Sequence, residues 1–336
     1  MFAGAFELTK VPAPPGVTFR RFKGEADYAA IAHIMNASNV GDQIEETTRV
    51  EDVANELAHL SNCDPADDFI FADADGRTVG FSRVHWRIND EGQRIYWQSG
   101  FIVPEWRRKG VGSAMLGYIE GRARLHARAH PIPGASLLQG VGEGTAYGKI
   151  ALFERAGYTP ARYFFFMQRR DLHDLPNAPL PRGIELIPAQ SEHMRAIWNA
   201  KEEAFRDHWG YALKTEADYQ HWLNDPVNDL SLWQIAWDVN TNQVAGMSLN
   251  MINYDDNRQY NFLRGWVISL AVRRPWRGRG LARALLVNSL RILRERGMAE
   301  AVLAADGENL TGALRLYEGV GFRVLHKDAL YRKPLE

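Results

Sequence analysis

The segment Val272-Arg-Arg-Pro-Trp-Arg-Gly-Arg-Gly-Leu-Ala282 constrains this chain most, because a near copy, Ile102-Val-Pro-Glu-Trp-Arg-Arg-Lys-Gly-Val-Gly112, stands 170 positions earlier. In both, an apolar run leads into Arg-x-x-Gly-x-(Gly/Ala) and a helical pattern follows, from Ser113 to Leu125 and from Arg283 to Arg296. The order predicts strand, tight turn and helix, twice. Glycine lets backbone approach a ligand closely, and the open N–H groups of a helix start carry partial positive charge, so the turn suits a phosphate or pyrophosphate. Arg107, Arg108, Lys109, Arg277 and Arg279 are expected to add cationic charge there, with Gly110, Val111, Gly112, Gly278, Gly280, Leu281 and Ala282 supplying backbone contacts.

One such turn is common in α/β proteins, and its duplication is the informative fact. Each copy also has a downstream partner, Leu152-Phe-Glu-Arg-Ala-Gly-Tyr158 in the first half and Leu316-Tyr-Glu-Gly-Val-Gly-Phe322 in the second. Turn and partner in this order resemble the GNAT superfamily of acyl-coenzyme A-dependent N-acyltransferases, twice over and across nearly the whole chain. The resemblance implies an acyltransferase with acetyl-coenzyme A as cosubstrate, a small-molecule amine acceptor and no metal. It implies an α/β fold with a mixed sheet, in two tandem domains.

Carried over residue by residue, it makes Tyr317 the acid that protonates the departing thiolate. Ala313 is the small residue beside the coenzyme A channel. Asn309 is a cofactor contact, although Asn309 to Tyr317 is one residue longer than the commonest spacing. In the strand Trp266–Val272, backbone groups of Leu270 and Val272 would meet the pantetheine arm and the developing oxyanion, as Ile102 would in the first copy. In the first half Phe153 replaces the tyrosine and Lys149 stands where Ala313 stands. That half is therefore expected to be catalytically impaired, and either keeps coenzyme A binding or serves as a structural pseudo-domain. Tandem members with a better-preserved C-terminal half are the nearest pattern.

An alkylammonium has a pKa of about 10, so the amine needs a base at neutral pH. Residues 264–272 hold no carboxylate. Candidates are therefore Glu202, Glu203, Asp207 and His208 after the first helix of the second half, and Asp255 and Asp256 in an expected polar loop; histidine titrates in the right range. Trp209, in the same polar stretch as His208, is the tryptophan least like core packing. A coenzyme A-binding sensor without turnover is the alternative, and the phenol of Tyr317 favours the enzyme.

A length of 336 residues suits two cores. The boundary is expected at the Pro-rich segment 171–183, giving domains 1–170 and 184–336. Helices are expected from Asp27 to Asn36, around Val50 to Leu60, from Glu192 to Phe205 and around Thr215 to Leu223. Strand pairs follow each, and the tail reads as a hairpin of Phe322–His326 and Ala329–Lys333. Net charge is −1 and evenly mixed, which gives no field for nucleic acid or an anionic membrane. Cys63 is the single cysteine, so no internal disulfide is possible. The opening residues lack the basic leader of a signal peptide, so the chain reads as cytoplasmic.

Overall fold

A computed structural model of the chain describes residues 11–308 and 312–336. In chain order its elements are β1 (Thr18–Arg20), α1 (Tyr28–Asp42), α2 (Val50–Ala58), α3 (Pro65–Asp68), β2 (Phe69–Ala74), β3 (Arg77–Ile88), β4 (Arg94–Ile102), α4 (Val111–Ala129), β5 (Ser136–Gly142), α5 (Tyr147–Arg155) and β6 (Thr159–Arg169). They continue with β7 (Ile184–Leu186), α6 (Met194–Phe205), α7 (Glu216–Leu223), β8 (Gln234–Asp238), β9 (Gln243–Met251), α8 (Tyr254–Tyr260), β10 (Arg264–Val272), α9 (Leu281–Glu295), β11 (Glu300–Asp306), α10 (Ala313–Gly319) and β12 (Arg323–Pro334). The mixed α/β class expected from the sequence is present.

The chain forms two compact units. One comprises the chain up to Arg162 with Thr215–His221 and Asp328–Glu336; the other comprises Tyr163–Lys214 and Trp222–Lys327. In the first, β1, β2, β3 and β4 pair antiparallel in sequence, and β4 pairs parallel with β5. The outer side of β5 is closed by the chain's last strand, through Leu330↔Val141 to Pro334↔Leu137. In the second, β7, β8, β9 and β10 pair antiparallel and β10 pairs parallel with β11. The other side of β11 takes Phe164–Arg169 of β6. Each unit is thus completed by a strand from a distant part of the chain.

The segment 171–183 is irregular, as its prolines require, yet Leu172 and Ala178 are buried in the core of the second unit. It is packed chain, not a free tether. The hairpin expected for the tail does not form, because β12 runs through Lys327 and Asp328 as one strand. Those two residues carry no turn geometry, and Ala329–Pro334 finds its partner in β5 instead of in the preceding arm. Asp255 and Asp256 lie on α8, not in a loop. Asn253 caps that helix, its Oδ1 accepting from the N–H groups of Asp255 (3.0 Å) and Asp256 (3.1 Å), and acidic residues suit a helix start.

Local patterning explains the cores. Phe71↔Phe81 and Phe81↔Phe101 are cross-strand pairs whose rings stack at 5.8 and 5.5 Å, so a ladder of phenylalanines crosses β2, β3 and β4. In α9 the stripe Leu286, Leu290 and Leu293 packs with Ile197 of α6 and Met247 and Leu249 of β9. Ser289 and Asn250 are the polar insertions, and Asn250 is satisfied by donating to Ser289 Oγ (3.0 Å) and Leu232 O (2.7 Å). Cys63 has its thiol pushed up to about 12 by burial and by Asp68, which keeps it un-ionised.

Cutting the chain within 171–183 separates each sheet from its closing strand. A fragment of residues 1–170 exposes the edge of β5 and is expected to aggregate or self-pair in size-exclusion chromatography, while coexpression with 171–336 restores a 1:1 complex. A monodisperse, folded monomer of 1–170 would show that the exchanged strand is dispensable.

Candidate active site

The duplicated turns fold alike. A short 3-10 turn, Pro104–Trp106 or Arg274–Trp276, buries its tryptophan and delivers the chain to a glycine at the helix N-cap. Gly110 (φ 88°) and Gly280 (φ 82°) take the left-handed conformation that disfavours any side chain. A Cβ on Gly280 would meet no protein atom within 4 Å, so backbone conformation and not crowding within the protein demands glycine there. Neither helix has a side-chain cap. The first internal bonds are Ala114 N–H to Gly110 O and Ala284 N–H to Gly280 O, both 3.1 Å. Among the described residues the N–H groups of 111–113 and 281–283 therefore have no protein acceptor, the condition for binding an anion. Arg108, Lys109 and Arg279 are exposed beside these turns.

The second shared feature is an opening in each sheet. β4 and β5 pair from Arg94↔Ser136 to Trp97↔Gln139 and then part; β10 and β11 pair from Arg264↔Glu300 to Trp266↔Val302 and then part. One side of the remaining backbone, through Ile102 and through Leu270 and Val272, is left without a strand partner. Such backbone groups need hydrogen bonds from elsewhere. In the first unit this opening is a cavity of about 980 Å³ running from Arg108, Gly110 and Gly112 past Ile102 to Glu143, Lys149 and Phe153. That volume suits a large organic ligand. Lys149 pairs with Glu143 at 2.9 Å and lies 5.2 Å from the Phe101 ring centre. Phe153 is buried against Gly140, where a Cβ would stand 2.7 Å from its ring.

The first arginine of each Arg-x-x-Gly turn, Arg107 or Arg277, is spent within the protein. Arg277 donates to Val272 O (2.9 Å), Ala204 O (3.1 Å) and Asp207 (2.8 Å). Arg107 repeats this with Ile102 O (3.2 Å), Ser38 O (3.0 Å) and Asp42 (2.7 Å). Each guanidinium ties the end of the parting strand to the end of the unit's long first helix. The expectation that these two side chains lend charge to a phosphate is corrected accordingly: their donors hold the turn in place. Gly41 permits the approach in the first unit, since a Cβ there would lie 2.7 Å from Pro104.

The base candidates separate once their partners are seen. Asp207 takes hydrogen bonds from Arg274 and Arg277, which hold its carboxyl well below the usual range and make it a poor proton acceptor. Glu203 accepts from Arg273 at 2.8 Å, and Glu202 pairs with Lys201 and accepts from the Tyr211 hydroxyl at 3.3 Å. Asp255 pairs with Arg258, and Asp256 is buried. His208 packs on Phe205 with ring centres 4.5 Å apart; burial lowers its pKa against the opposing pull of Asp306. Burial thus favours its neutral ring. Trp209, beside it, is half-buried.

Tyr317 stands on α10, edge-to-face with Phe322 at 6.2 Å, and burial pushes its hydroxyl up to about 12. Ala313 opens the same helix behind Gly312. Asn309 lies outside the described residues. Asp42, the pairing of Asp207 with Arg277, the Glu143–Lys149 pair and a bulge at Ile268 were not found from the sequence. The repeat itself offered a signal for the first of these, since an aspartate stands at or just past the end of the first long helix in both halves.

Arg277→Ala is expected to lower unfolding stability by about 1–2 kcal/mol in urea titration, through lost charge-assisted hydrogen bonds, and to loosen the turn before α9. Unchanged stability together with a specific loss of anion affinity would return Arg277 to the phosphate role.

Two family models match the chain. One described as "Acetyltransferase (GNAT) family" matches residues 194–322, and one described as "Acetyltransferase (GNAT) domain" matches residues 65–160. A mycothiol acetyltransferase of Thermobispora bispora is 30% identical over 247 residues, covering 70% of this chain and 76% of the relative. One from Kineococcus radiotolerans is 29% identical over 326 residues, covering 95% and 98%. The crystal structure of a GCN5-related N-acetyltransferase from Sphaerobacter thermophilus superposes with a TM-score of 0.67 at 27% identity, covering 97% of this chain and 98% of that one. Duplicated turns, parting strands and these matches together make the chain a member of the GNAT acetyltransferase family, an acyltransferase that carries two domains of that family in tandem.

Proposed function

We propose that the second unit transfers an acetyl group from acetyl-coenzyme A to the primary amine of a small molecule by direct attack. The observation that carries this reading is Tyr317, a phenol whose hydroxyl burial pushes up to about 12, on α10, the helix that follows β11. The reaction needs a proton on the thiolate as it leaves, and a hydroxyl with a raised pKa holds its proton through the working pH range. Relatives named mycothiol acetyltransferase support acetyl transfer, and identities of 29–30% do not carry their acceptor over.

In this reading the pyrophosphate rests on the open N–H groups of 281–283. The pantetheine arm takes the place of the missing strand along Leu270 and Val272. His208, whose neutral ring burial favours, accepts the amine proton directly or through one water. The nitrogen then bonds to the thioester carbon, and backbone N–H groups of β10 steady the oxyanion. The nitrogen gives its second proton to solvent as the carbon–sulfur bond breaks, Tyr317 donates to sulfur, and the proton held by His208 returns through solvent to the Tyr317 phenolate. The first unit has the cleft and turn but Phe153 in place of the phenol, which supports coenzyme binding without turnover. No helix among the described residues is long and apolar enough to cross a membrane.

Tyr317→Phe is expected to lower kcat roughly 10²- to 10⁴-fold with acetyl-coenzyme A affinity nearly unchanged, in steady-state assays paired with calorimetry. An unaltered rate would remove Tyr317 from the chemistry.

The two turns should also prove unequal. Bulky residues at Gly280 and Ala282 should silence a still-folded protein, whereas the same changes at Gly110 and Gly112 should cost stability more than turnover per folded molecule. Equal losses of turnover, normalised to folded protein by circular dichroism, would mean that the halves share the work.

A further inference from the structure

The second unit carries a row of aromatic rings that the cofactor site does not use. Phe165 and Met167 of β6 turn toward the core with Leu303 and Ala305 of β11, so strand alternation sends Phe166 and Ala304 to the opposite face. There Phe166 meets Trp266 of β10 edge-to-face, at 5.3 Å and 73°, and lies flat on His326 of β12, at 4.6 Å and 7°. Ile268, the extra residue of a bulge between Val267 and Ser269, is 51% exposed, and Val324, two residues before His326, is 48% exposed.

Position gives the row its meaning. Trp266↔Val302 is the last pair before β10 and β11 part, so the row ends where the proposed slot for the acyl group begins. The first unit has no counterpart. Tyr96 occupies the place of Trp266, is 1% exposed and is joined to His126 Nδ1 at 2.7 Å, while buried Gln98 replaces Ile268 on a strand with no bulge. The unit that retains the phenol is also the one with exposed apolar surface at the crotch of its sheet.

We propose that Trp266, Phe166 and His326, flanked by Ile268, form the acceptor subsite, and that the acceptor is a primary amine borne on an aromatic body. This rests on the N-acetyltransferase reading of the second unit. Stacking on three rings favours a flat π-system. A polyamine would call for carboxylates, and an amino sugar for a ring of polar side chains; these four residues supply neither.

The test uses the whole chain with acetyl-coenzyme A and three amines: 2-phenylethylamine, its saturated analogue 2-cyclohexylethylamine, and glucosamine. Acetylation and equilibrium binding in the presence of coenzyme A are both measured. The aryl amine should exceed the saturated one by roughly tenfold in kcat/KM and in affinity, the scale of one good aromatic contact. Trp266→Ala should erase that preference, and Trp266→Phe, which keeps a ring and guards against misfolding, should retain most of it. Equal use of both amines, a preference for glucosamine, or a preference untouched by Trp266→Ala would overturn the subsite while leaving acetyl transfer standing. Aryl binding that depends on Trp266 without acetylation would uphold the subsite and overturn the proposed reaction. Neither binding nor acetylation would overturn both.

Discussion

Two parallel strands that begin paired and then separate are the constraint on which each unit depends. Beyond Trp97↔Gln139 and Trp266↔Val302 the backbone has lost a neighbour, and unpaired peptide groups inside a protein are costly. The opening persists because its rim is fixed. Arg107 and Arg277 clamp the strand ends to the ends of α1 and α6, and glycine N-caps set the following helices so that their first N–H groups face outward. A ligand with an amide-bearing arm and a pyrophosphate end supplies what both features lack.

The copies then diverge by single residues on a common frame. In the first unit, Phe153, Lys149 and Gln98 fill or line a formed cavity, and Tyr96 is withdrawn into the core. In the second, Tyr317, Ala313, Ile268 and Trp266 leave a phenol, a small helix start, a bulge and a half-buried ring. The first unit thus has Phe153 where the second has Tyr317, on a comparable frame. The phenol and the apolar crotch coincide in the same unit.

Local chemistry was legible in the sequence. Gly110 and Gly280 announce a left-handed turn, the spacing to Phe153 and Tyr317 announces the second helix, and periodicity placed α4, α6 and α9 to within a few residues. Long-range pairing was not. Nothing near β5 states that its edge is closed by residues 329–334, so the tail read as a hairpin and 171–183 as a simple boundary. The same holds for charge: Arg277 read as a phosphate ligand because its partner Asp207 lies 70 positions away. Asp255 and Asp256 look like loop residues by their polarity, and it is the Asn253 cap that makes them the start of a helix.

The most direct measurement is amide hydrogen exchange with and without acetyl-coenzyme A. If the ligand replaces the missing strand and sits on the helix starts, protection rises at 267–272 and 281–283, and also at 98–102 and 111–113 if the first unit binds. Saturating ligand with no change at 267–272 and 281–283 would contradict the account at its centre.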